Sequence, residues 1–142
     1  MALKQNKIKC ILLFISMCLF CISFCNIYTY KTVNLLHDEI RITIPVFNQT
    51  LTSPFVIKGE AKGTWFFEGD FPIHLFTIDH HLITTAIAST EYDWMTESFI
   101  PFEATLSFDT PIDQNGYILI QNNNPSDNIQ LNKMIRIPVR FK

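Results

Sequence analysis

Beyond residue 39 the chain alternates between apolar and polar positions. Ile40, Ile42, Ile44 and Val46 are separated by Arg41, Thr43 and Pro45, the period-two pattern of a strand with one buried face. Pro45 has no N–H to give to a ladder, which places this strand at a sheet edge. Residues 48–54 read as a turn, and residues 55–61 as a second strand ended by Gly63. A third strand is expected over residues 64–78, with a bulge near its start at Gly69-Asp70. Residues 82–89, rich in Ile and Thr, form a fourth. In the fifth, over residues 98–108, Phe102, Ala104, Leu106 and Phe108 point inward and Glu103, Thr105 and Ser107 outward. The sixth covers residues 116–121. The seventh, over residues 134–141, sets Ile135, Ile137, Val139 and Phe141 against Arg136, Pro138 and Arg140. Seven short strands with turn signals between them predict an all-β, immunoglobulin-like antiparallel sandwich of two sheets.

The first 30 residues follow another pattern. Lys4, Lys7 and Lys9 precede an uncharged run over residues 10–30. As a helix, that run would be roughly 31 Å long at about 1.5 Å per residue, enough to cross a bilayer core. The lysines would remain in the cytoplasm, and everything beyond Lys31 would lie outside. Three fates are open: an uncleaved membrane anchor, a signal peptide cleaved near Ser23-Phe24-Cys25, or a lipoprotein leader with Cys25 as the lipidated residue. Residues 1–30 are therefore read as leader or anchor, 31–39 as a polar connector, and 40–142 as the folded domain.

Charge and cysteine content narrow the picture further. The chain has 11 Lys+Arg and 13 Asp+Glu, but all three cations of the leader stand apart from any acid. The remainder is net acidic, so a nucleic-acid partner is excluded. The four cysteines lie within the first 25 residues, and no disulfide can staple the domain.

Catalytic signatures are missing. His80 and His81 are neighbours and read as turn or surface side chains, and His74 lies on a strand opposite Ile73 and Leu75. The chain has no Gly-x-Ser-x-Gly and no Gly-rich phosphate loop. Glu68 with Asp70, and Glu91, Asp93 and Glu97, read as solvated loop carboxylates. Residues 109–115 read as an acidic turn rather than a calcium loop. No catalytic residue, cofactor or metal ligand is expected. Aromatic density is what stands out: Trp65-Phe66-Phe67, Phe71-Pro72, Trp94, then Phe99 and Phe102 around Pro101. In a regular strand Trp65 and Phe66 would face opposite sides, which makes that pair the first place to look for an exposed ring. Packing of residues 65–72 against residues 94–102 is expected at one end of the domain.

These residues carry a resemblance. Gly63-Thr64-Trp65-Phe66-Phe67-Glu68-Gly69-Asp70-Phe71-Pro72 is similar to the signature of the immunoglobulin-like domain of bacterial spore germination. Asp93-Trp94-Met95-Thr96-Glu97, Phe99-Ile100-Pro101-Phe102, Asn124-Pro125-Ser126-Asp127 and Ile137-Pro138-Val139-Arg140-Phe141 continue the match in order. Asp79-His80-His81 departs from it, standing where the family often has a Gly-containing turn. The resemblance implies an extracytoplasmic β-sandwich behind a lipid or membrane anchor, with no catalytic residues to carry over. It marks Trp65, Phe66, Phe67, Glu68, Phe71, Pro72, Asp93, Trp94, Met95, Thr96, Phe99, Pro101, Phe102, Asn124, Pro125 and Ser126 as family-motif or partner-binding positions. The expected function is a non-catalytic binding or assembly module at the cell envelope. Its partner would be an envelope protein or a cell-wall glycan, with the membrane reached through residues 10–30. The alternatives are a purely structural spacer and a small hydrolase using Glu68, Asp70 or Asp93.

Overall fold

The computed structural model describes residues 38–126 and 128–142. The leader, the lipidation candidate Cys25, most of the connector, and Asp127 of the Asn-Pro-Ser-Asp motif lie outside the described residues. Eight strands follow in order: β1 (Ile40–Ile44), β2 (Gln49–Leu51), β3 (Phe55–Lys62), β4 (Asp70–Thr77), β5 (Leu82–Ser89), β6 (Phe99–Leu106), β7 (Asn115–Gln121) and β8 (Met134–Phe141). Two 3-10 turns, Gly63–Trp65 and Ile129–Leu131, complete the regular structure of the described residues.

The strands join in one sheet of order β1-β3-β6-β5-β4-β7-β8-β2. Laid flat, β1 and β2 would stand roughly 34 Å apart at about 4.8 Å per strand. Only residues 45–48 connect them. That link reaches about 18 Å when fully extended, so the sheet must curl until its edges approach. The rings of Phe108, just past β6, and Phe141 of β8 meet at 6.0 Å despite three intervening strands. The curl breaks where β5 and β6 share a single residue pair, Ser89 with Glu103. It leaves a three-stranded half (β1-β3-β6) facing a five-stranded half.

The expected two-sheet antiparallel sandwich of seven strands is thus corrected in two respects. The strands belong to one curled sheet, and an eighth, β2, lies within the segment expected to be a turn. β2 runs parallel to β8, pairing Gln49 to Leu51 with Val139 to Phe141. The other pairings are antiparallel. As expected from Pro45, β1 is an edge strand.

The core lies between the two halves. Ile57, Ala104 and Leu106 project from one, and Phe71, Ile73, Leu75, Ile118, Ile120 and Val139 from the other, all buried. β6 alternates as read: Phe102, Ala104 and Leu106 are buried, and Glu103, Thr105 and Ser107 exposed. Charged side chains cover the outer face of the smaller half. Lys58 meets Glu103 at 2.7 Å and Arg41 meets Glu60 at 2.7 Å.

Candidate functional site

The site begins where β3 ends. Instead of continuing as a strand, the chain tightens into the 3-10 turn Gly63–Trp65 and only then resumes extended geometry at Phe66. Three residues per turn replace a period of two. Trp65 and Phe66 therefore turn inward together, 0% and 4% exposed. This corrects the expectation that the pair straddles a sheet; Phe67, at 36%, is the ring that faces out. Phe71 gathers the cluster, with Trp65, Phe66 and Phe102 edge-on to it at 6.1, 5.0 and 4.8 Å. Edge-to-face geometry at these separations adds about 0.5–1.5 kcal/mol per pair beyond burial.

A tight turn then redirects the chain into β4. Phe67 and Asp70 exchange both backbone hydrogen bonds, at 3.1 and 3.2 Å, around Glu68 and Gly69. Both central residues have positive φ, 55° and 85°, the signature of a type I′ hairpin turn. Glu68 is thus exposed at a turn tip, and Pro72 lies on the outward face of β4, opposite Ile87 of β5.

The segment between β5 and β6 lies against this turn. The N–H of Gly63 donates to the carbonyl of Thr96 at 3.1 Å, and the N–H of Thr90 to that of Gly69 at 3.1 Å. A side chain on residue 63 would collide with the carbonyl oxygens of Trp94 and Thr96, so only glycine allows the contact. Between the two segments lies an open pocket of about 430 Å³. Trp94, Phe66 and Met95 give it apolar walls, and Thr64, Thr96 and Glu97 supply its polar groups. Trp94 is half-buried, while Met95 is 77% exposed. The carboxylate of Asp93 accepts the N–H of Met95 at 3.0 Å and the hydroxyl of Thr96 that of Ser98 at 3.2 Å, which shapes this loop. Residues 39–128 match the family described as the immunoglobulin-like domain of bacterial spore germination. The chain belongs to that family. No curated protein and no solved structure matches the chain.

The remaining family-motif positions of this germination-type domain divide into two groups. Phe99 and Pro101 lie on β6, where the guanidinium of Arg41 stacks 3.8 Å from the Phe99 ring centroid and Pro101 is exposed. Asn124, Pro125 and Ser126 form a loop closed on itself. Asn124 accepts from the N–H and hydroxyl of Ser126 at 3.1 and 2.8 Å, and donates to Asn132 at 2.7 Å. Neither group touches the pocket.

Sequence reasoning missed the polar groups that brace the aromatic turn. The carboxylate of Glu39 accepts from the Trp65 indole N–H at 3.3 Å and pairs with Lys133 at 2.7 Å. Asn123 donates its N–H to the carbonyl of Trp65 at 3.0 Å and its side-chain amide to the carboxylate of Asp70 at 2.8 Å. These partners are far apart in the chain, so no local spacing announces them. Among the described residues, no three His, Cys, Asp or Glu side chains come together as a metal site would need. His74 donates to or accepts from the Thr85 hydroxyl at 2.9 Å, and burial holds its pKa below the ordinary value. His80 adopts φ 66° in the β4–β5 turn, the left-handed geometry a glycine would supply, and reaches the Tyr117 hydroxyl at 2.8 Å.

Proposed function

We propose that this chain is a non-catalytic binding module outside the cytoplasm, attached to the bacterial cell envelope by its N-terminal segment. In this reading, the pocket between the Gly63–Trp65 turn and the Trp94-Glu97 loop receives an apolar group of an envelope protein or of a cell-wall glycan. The observation that supports it is the division of labour within the family motif. Trp65, Phe66, Phe71 and Phe102 are buried in the core, whereas Met95 stands 77% exposed at the pocket. Met and Trp are residue types enriched at interface cores, and together they offer apolar area that a partner's apolar group can cover. The arrangement offers apolar area, two hydroxyls and one carboxylate, which suits recognition rather than bond cleavage.

The test is capture of envelope extract and of purified cell-wall polymer on the full chain, beside the variant Met95→Lys. Wild-type chain should retain a partner that Met95→Lys loses at an unchanged melting temperature. Equal retention by both would refute the pocket as the binding surface.

A further inference from the structure

The pocket at the aromatic end changes character along its lining. Trp94, Phe66 and Met95 are apolar, and Glu97 brings the one ionisable side chain. Glu97 is exposed, and among the described residues its carboxylate has neither a hydrogen-bond nor an ion-pair partner. Glu39, Glu60 and Glu103, by contrast, are each paired with a Lys or Arg. The segments that bound the pocket are of one sign. Residues 91–97 hold Glu91, Asp93 and Glu97, and residues 67–70 hold Glu68 and Asp70, with no Lys or Arg in either. Asp93 and Asp70 are occupied by the Met95 N–H and the Asn123 amide. Two cations flank these segments, and neither lines the pocket. Lys133 is held by Glu39 at 2.7 Å and reaches the Thr64 hydroxyl at 3.4 Å, and Lys62 lies 5.8 Å from the Phe99 ring centroid.

We infer that the group this pocket receives is a basic side chain, lysine or arginine, of a partner protein. The inference rests on the pocket being the binding surface and names what enters it. A lysine or arginine carries a long alkyl stem and a cationic head. The stem lies along Trp94 and Met95, the indole attracts the cation, and the Glu97 carboxylate accepts hydrogen bonds from the head. Other occupants fit less well. A wholly apolar group that filled the pocket would strip water from Glu97 and return no hydrogen bond. An acidic group would meet like charge. A sugar brings a hydroxyl on nearly every carbon, and only the side chains of Thr64, Thr96 and Glu97 stand in the lining to pair with them. The carboxylates of Glu68 and Glu91 on the bounding segments add an attraction that draws a basic partner toward this end.

A peptide array probed with the full chain in neutral detergent tests this, each peptide carrying lysine, arginine, norleucine or glutamate at the centre of the same uncharged flanks. Lysine and arginine peptides should be retained about tenfold more tightly than norleucine peptides, and glutamate peptides least. Glu97→Gln, at an exposed position, should remove most of that preference at an unchanged melting temperature and leave norleucine peptides unaffected. Asp109→Asn, beyond the far end of β6, should change nothing and so separates a local contact from net charge. Equal retention of lysine and norleucine peptides, or a preference that survives Glu97→Gln, overturns the inference; the pocket still stands as a binding surface if Met95→Lys abolishes retention. Retention indifferent to Met95→Lys overturns the pocket and the inference together. Failure to retain any basic peptide overturns the inference as well, and Met95-dependent capture of purified cell-wall polymer would then assign the pocket to a glycan.

Discussion

Trp65 and Trp94 belong to the same motif but do different work. Trp65 is fully buried, its ring against Phe71 and its indole N–H bonded to Glu39. Trp65→Ala should cost about 3–5 kcal/mol by chemical denaturation, a large share of a small domain's stability. Trp94 is half-buried at the pocket. Trp94→Ala should cost less than half as much. His74 makes a pH prediction. Its pKa is lowered by burial from 6.5, so the unfolded chain takes up the proton first as pH falls. Stability should therefore decline as pH drops below about 6.5, the decline ending once folded His74 is itself protonated. Melting temperatures of wild type and His74→Gln, compared between neutral and mildly acidic pH, should diverge, with the variant less sensitive to acid. Equal acid sensitivity in both would show that His74 carries no linkage.

At the scale of elements, the sequence was most legible where one face of a strand is buried. β6 and β8 announce themselves because Phe102, Ala104 and Leu106, and likewise Val139 and Phe141, recur every second residue and all face the core. β2 has no such rhythm. Of Gln49, Thr50 and Leu51 only Leu51 is buried, and what makes the segment a strand is the backbone of β8 beside it. The 3-10 turn hid the faces of Trp65 and Phe66 for a similar reason, since a change of period inside a run of aromatics leaves no mark in composition. The pocket was legible in part. Its two motif segments could be named, but Glu39, Asn123 and Lys133 brace them across long sequence separations. If β2 closes the sheet as described, Leu51→Ala should destabilise the domain by about 2–5 kcal/mol. A loss below about 0.5 kcal/mol would mean that β2 is a loop resting on the sheet.

Among the described residues, the domain presents an ion-paired outer face on β1, β3 and β6 and an end where the aromatic turn meets the Trp94 loop. Its membership of the spore-germination immunoglobulin-like family covers the segment that builds this end. β8, which holds both β7 and β2, lies beyond the matched residues. We propose a binding domain displayed outside the cytoplasm. That proposal rests on the basic flank of residues 1–9 and the uncharged run of residues 10–30, the charge asymmetry expected of a segment whose lysines stay in the cytoplasm. The direct measurement is a pair of fusions after Lys142, one to a reporter active only in the cytoplasm and one to a reporter active only outside it. Signal from the second and none from the first is the expected result. Strong signal from the cytoplasmic reporter would contradict it.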